Sequence, residues 1–157
     1  MEIALIVLAA IVVGVLLARK AAFKKSTYSS SQMIRFAGSS AEEVLSSNWE
    51  HDEYYSRMYK HASPELASHM YKNRSLLNQV LDERAQLLGD YLDLVDLSLG
   101  PQPFKLWPSH IYEIAGKLSC IKGNVPVVIL VNAAKSELSL DGIKVLKREI
   151  QTKKSRD

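Results

Sequence analysis

Hydrophobic positions change their spacing twice along this chain. The first stretch, Ile3–Ala18, is sixteen consecutive apolar residues closed at once by Arg19 and Lys20. As a helix rising about 1.5 Å per residue it covers roughly 24 Å. With Ala21, Ala22, Phe23 and snorkelling cations it approaches the roughly 30 Å hydrocarbon core of a bilayer, which predicts one transmembrane helix over residues 1–23.

Amphipathic spacing follows. Ser40-Ala-Glu-Glu43 has the Ser-x-x-Glu pattern of a capping box, and Val44, Leu45, Trp49, Tyr55, Met58 and Ala62 recur every three or four residues. The spacing predicts a helix over 40–62. Ser63-Pro64 ends it and opens the next, since proline disfavours helix at the residue before it and fits a first helical turn. Leu66, Met70, Leu77, Leu81, Leu88, Tyr91, Val95 and Leu99 then predict one long helix from Pro64 to about Leu99, bent at Gly89 and terminated by Gly100-Pro101. Gly100–Pro108 reads as a crossover loop pinned by Phe104 and Trp107. Ile111, Ala115 and Leu118 predict a further helix over Ser109–Ile121, stopped at Gly123.

The last stretch supports two readings. Val125–Val131 is a β-branched apolar run, and Leu138–Val145 alternates around Asp141-Gly142, a hairpin signal. Against this, Asn124 is able to cap a helix with Pro126 in its first turn, and Ile143, Leu146 and Ile150 keep helical spacing. Helix is the preferred reading. The expected fold is therefore mainly α, an N-terminal single transmembrane helix followed by a small helical-bundle domain; the alternative is α+β with a small antiparallel sheet within 125–146. The expected organisation is an anchor over 1–23, a basic and Ser-rich juxtamembrane tether over 24–39, a helical cytoplasmic domain over 40–150 and a frayed basic tail over 151–157.

Charge gives the anchor a direction. Glu2 precedes the apolar core, while Arg19, Lys20, Lys24 and Lys25 follow it, so the segment reads as an uncleaved signal-anchor with its N-terminus outside and the rest cytoplasmic. Its short length favours a bacterial inner membrane. The four cations form the expected membrane-surface collar. Ala10, Gly14 and Ala18 repeat every four residues, the small-xxx-small spacing that lets a second transmembrane helix approach closely. The net charge of +3 is unevenly spread, with eleven acidic against five basic side chains over residues 40–99 and six basic against three acidic over 140–157. The basic ends suit an anionic leaflet. The single cysteine, Cys120, excludes an internal disulfide framework and suits a reducing compartment. On a helical wheel it lies opposite the Ile111, Ala115, Leu118 stripe and is expected to be accessible.

Candidate chemistry is sparse. Neither a phosphate-cradling glycine loop nor a Gly-x-Ser-x-Gly elbow occurs, which argues against nucleotide hydrolysis and serine-hydrolase chemistry. His61, Glu65 and His69 fall at four-residue spacing, but Pro64 separates the first from the other two, so no metal site is expected. Asp90, Asp93 and Asp96 splay around a helix and form an acidic edge. No cofactor is expected either. The leading expectation is a non-catalytic, single-pass membrane-anchored interaction or adaptor protein, or a small subunit of a membrane-associated complex, with membrane lipid and a protein partner as its contacts. One alternative is a membrane-associated enzyme whose site is assembled from His51, Asp52, His69 and His110. Another is an anionic-lipid or nucleic-acid binder through the basic tail, although the absence of aromatics among its cations argues against nucleic acid.

Overall fold

A computed structural model describes residues 2–22, 28–100, 110–134 and 136–146. Five helices precede four strands among them: α1 (Glu2–Ala22), α2 (Ser30–Leu45), α3 (His51–His61), α4 (Pro64–Lys72) and α5 (Arg74–Leu88), then β1 (Tyr91–Leu99), β2 (Ile111–Cys120), β3 (Gly123–Asn132) and β4 (Ser139–Val145). The strands form one antiparallel meander in the order β1-β2-β3-β4. The architecture is α+β, which corrects the expected helical bundle over 40–150.

Alternation in β2 and β3 builds the core. Ile114, Leu118 and Cys120 on β2 face the same side as Val125, Val127, Ile129 and Val131 on β3, all buried, while Glu113, Lys117, Asn124 and Pro126 point the other way. This side of the sheet is covered by α2 and α3 through Ala37, Ala41, Val44, Leu45, Tyr55 and Met58. Small residues bring α2 close. A Cβ on Gly38 would lie 3.0 Å from Leu97 of β1, and one on Gly116 of β2 would lie 2.5 Å from the same side chain. Leu97 is wedged between two glycines, one from the helix layer and one from the sheet.

β1 hid from periodicity because it carries an extra residue. Val95 pairs with Lys117 and Ser98 with Ala115, so Asp96 and Leu97 together oppose Gly116, and Asp96 takes φ 58°. That bulge sets Leu94 and Leu97, both facing the core, three residues apart, a spacing that imitates a helix. The single helix expected over 64–99 is instead α4, α5 and β1, interrupted at Asn73 and at Gly89, whose φ of 66° suits glycine. The helix expected over Ser109–Ile121 is β2, and the helix preferred for 125–150 is replaced over the described residues by β3 and β4. Asp141 and Gly142, read as a turn, lie inside β4.

The N-terminal half also departs from expectation. α2 begins at Ser30, where Ser29 and Gln32 form the capping box; Ser40 sits inside the helix and donates to the Phe36 carbonyl at 2.5 Å. The helix expected over 40–62 breaks at Asn48 and Trp49, with φ of 56° and 67°, and Glu50 caps α3 by accepting from the Glu53 N–H. Asn48 Oδ1 accepts from the Tyr91 N–H at 3.0 Å, and Trp49 Nε1 donates to the Gly89 carbonyl at 2.9 Å. These two long-range bonds fix the break.

The sixteen-residue apolar run Ile3–Ala18 is about 24 Å long, short of the roughly 30 Å that a hydrocarbon core needs. Among the described residues no helix is long and apolar enough to cross a membrane. This overturns the single-pass transmembrane helix, the signal-anchor, the N-out and C-in topology with its cytoplasmic domain, and the bacterial inner membrane localisation.

Candidate functional site

Two features stand out from the packed core. The first is α1, apolar on every side, with Ile3 79%, Leu5 70%, Ile6 68% and Leu8 63% exposed and Ile11, Val12, Val13, Leu16 and Leu17 all above half. None of these residues joins the core cluster. Of the expected packing residues, Ala10 and Gly14 lie in this helix, and a Cβ on Gly14 would meet nothing within 4 Å. For Ala18, Arg19 and Lys20 only the helical backbone is described, and Lys24 and Lys25 lie outside the described residues, as do Phe104, Trp107 and the tail over 151–157.

The second feature is a cleft of about 240 Å³ between α3, α4, α5 and β4. Met58, Leu66, Met70, Leu77, Val80 and Leu81 give it apolar walls. Its polar lining is Tyr54, Tyr55, His69, Arg84, Asp141 and Lys144. Several of these are already engaged. Asp141 accepts from the Ser63 hydroxyl at 2.8 Å, and Tyr55 donates to Asn78 Oδ1 at 2.7 Å while the Arg74 guanidinium sits 4.2 Å from its ring centre. Burial pushes the Tyr54 phenol above its usual range, opposed by the Arg84 guanidinium beside it. Arg84 also lies 5.9 Å from the centre of the Trp49 ring. Among the described residues neither Arg84 nor Lys144 has a carboxylate within ion-pair distance.

A separate cluster of charged side chains ties the helices together. Glu43 accepts from Lys60 Nζ at 3.0 Å and His61 Nε2 at 2.6 Å, and its carboxyl is held below the usual carboxylate range by the hydrogen bonds from His61 and Lys60. Arg57 donates to the Glu43 carbonyl at 2.9 Å. These bonds clamp the last turn of α3 against α2.

The dispersed residues of the enzyme reading do not meet. His51 bonds Asp82 at 2.7 Å, Asp52 lies 3.5 Å from an Arg74 nitrogen, His69 contacts Asn73 at 3.2 Å, and His110 sits before β2 with its carbonyl accepting from the Ala133 N–H. Among the described residues no three His, Cys, Asp or Glu side chains are placed to hold a metal, so His61, Glu65 and His69 stay apart. Asp90, Asp93 and Asp96 follow β1 and the turn before it, forming an acidic edge of the sheet and not of a helix. Cys120, expected to be accessible, is buried at the end of β2, where burial and the Asp90 carboxylate push its thiol up. The sequence reading passed over Arg84, because a single cation on an amphipathic helix carries no signal until its neighbours are placed. No protein-family model matches the chain, nor does any curated protein or solved structure.

Proposed function

We propose that this chain is a non-catalytic interaction protein, an adaptor or small subunit, held to a larger assembly by α1. The observation that carries this reading is the exposure of ten large apolar side chains of that helix, from Ile3 to Leu17. Burying each stabilises by about 1.5–3 kcal/mol, so leaving all of them in water forgoes more than the roughly 5–15 kcal/mol by which a domain is usually stable. A helix apolar on all sides requires apolar surroundings, and an exposed apolar surface of this extent marks a contact with another molecule. The occupant proposed is a sheath of apolar helices from a protein partner. Small residues at Ala10 and Gly14 permit close approach on one side. The α+β domain is then the part presented to solvent.

The test places a photo-crosslinking amino acid at Ile6 and at Val13 of the full chain in cells. A discrete protein adduct from both positions, lost when Val12 is replaced by Asp, is expected. Adducts to lipid alone, or a monomer from mild detergent without any adduct, would overturn the reading.

A further inference from the structure

We infer that the cleft between α3, α4, α5 and β4 is a binding site for a small amphipathic carboxylate, a medium-chain fatty acid or a compound of similar shape. Three observations converge on it. Its walls are hydrocarbon and thioether, from Met58, Leu66, Met70, Leu77, Val80 and Leu81, and unbranched Met side chains adapt to a flexible tail. Its volume of about 240 Å³ compares with the roughly 150 Å³ of an apolar cavity that holds benzene, which scales to a guest of roughly ten non-hydrogen atoms. Octanoate has that size.

Charge then selects the head group. Arg84 and Lys144 both line the cleft without a carboxylate within ion-pair distance among the described residues, and the one acidic member, Asp141, accepts from the Ser63 hydroxyl, so the cleft carries two cations to one anion. Arg84 is half-buried and flanked by the buried Tyr54 phenol and the Trp49 ring, so its planar fork is held in place with no carboxylate partner among the described residues. A carboxylate satisfies such a fork with two parallel hydrogen bonds. An alcohol of the same length makes neither bond with full charge, and an ammonium is repelled. The geometry of α5 favours entry of a ligand. Only Leu81 and Leu88 of this helix are buried, while Leu76 and Leu87 are 60% and 71% exposed, so the wall it forms is lightly held. This inference does not rest on the role proposed for α1, which contributes no residue to the cleft.

The experiment uses the full chain carrying ¹³C-methyl methionine, which yields one signal for each of four methionines. Met58 and Met70 line the cleft, and Met33, buried in the core away from it, is the internal control. Octanoate is expected to shift the Met58 and Met70 signals saturably and to leave Met33 in place. Octan-1-ol should bind on the order of tenfold more weakly, the ratio that one charge-assisted bond confers, and octylammonium more weakly still. Arg84→Gln should bring octanoate down to the level of octanol, with the Met33 signal showing that the core is intact. Leu77→Trp, which fills the cleft and keeps Arg84, should abolish the shifts and guards against a misfolded Arg84 variant. Equal binding of octanoate and octanol, octylammonium binding as tightly as octanoate, shifts that spread to Met33, or no saturable shift in the millimolar range would each overturn the proposal.

Discussion

The two edges of the sheet are closed by opposite means. Along β4 the junction between α3 and α4 pairs with the strand: the Ser63 N–H donates to the Leu140 carbonyl at 2.7 Å, Ala62 forms a parallel bridge with Leu140, and the Ser63 hydroxyl bonds Asp141. Along β1 no further strand lies outside among the described residues. That edge instead carries two irregularities in register and the carboxylates of Asp93 and Asp96, and Asp93 Oδ1 accepts from the Leu94 N–H at 2.8 Å. One edge is sealed by bonds from its own chain. The other is protected by distortion and charge, which discourage another strand from adding to it. A fold able to spare only one helix junction as a cover thus guards its remaining edge with side chains.

The largest expected effect is on the β1 side. Leu97→Ala empties the wedge between Gly38 and Gly116 and should cost about 3 kcal/mol in chemical denaturation. Gly116→Ala, which overfills the same place, should cost about 2 kcal/mol alone, and the double variant should cost less than the sum because the added methyl occupies vacated space. Additive losses would show that Leu97 does not hold the strand to the helix layer. At the sealed edge, Ser63→Ala removes an N-cap on Leu66 and the partner of Asp141, and about 2 kcal/mol should be lost. A loss below about 0.5 kcal/mol would mean that the backbone bond alone closes β4. Asp93→Val should change stability by less than about 1 kcal/mol while introducing concentration-dependent association in light scattering, since it removes charge from the open edge. No association would leave Asp96 and the bulges as its protection.

Acid and alkali should act on stability through different groups. The Glu43 carboxyl is depressed in the folded state by His61 and Lys60, so its contribution is present above the ordinary carboxylate pKa of 4.5 and is lost as pH falls below it. The end of α3, leading to Ser63 and the sealed edge, should weaken first in acid, and Glu43→Gln should flatten that limb of the stability profile. Tyr91 at the start of β1 behaves oppositely. Its hydroxyl is buried, makes no hydrogen bond of good geometry among the described residues but lies near enough to the Glu42 carboxylate to interact with it, and burial, with the Glu42 and Asp93 charges, raises it to about 12. Its neutral form is the one the fold holds, so stability should be fully present below pH 10 and be lost as pH rises from there through about 12. Tyr91→Phe should remove Tyr91's share of the alkaline loss and change stability near neutrality by less than about 0.5 kcal/mol, because the hydroxyl it deletes makes no hydrogen bond of good geometry. A marked loss at pH 7 would reveal a bond to the phenol.

Reading the sequence located punctuation better than pairing. Ser63-Pro64 marks a real break between helices, and Gly89 ends α5 where a bend was expected. Local chemistry suffices at such points. The strands were missed for a physical reason: the bulge at Asp96 stretches an alternating pattern to a three-residue step, and in β2 Ile111, Ala115 and Leu118 happen to keep helical spacing while Ile114, Leu118 and Cys120 face the core. The Asn48-Trp49 break depends on bonds to Tyr91 and Gly89, some forty residues away, which no local window contains. The cleft was half legible. Its walls Leu66, Met70, Leu77 and Leu81 belong to one stripe of helical spacing, but the turn at Asn73 that folds α4 against α5, and the place of Arg84 beside Tyr54 and Trp49, follow only from tertiary placement.

The surplus residue in β1 also bears on how this chain tolerates change in length. Because Asp96 is the extra member of two residues facing one, deleting it leaves Leu94, Leu97 and Leu99 on the side they already occupy, whereas a deletion in the unbulged strand β3 would turn its remainder inside out. Position 96 is therefore a place where the gene can lose a codon without inverting a strand. The shortened strand would be straighter, and the open flank of the sheet would then depend on Asp93 and the irregularity between Tyr91 and Asp93 to deter recruitment of a neighbouring molecule.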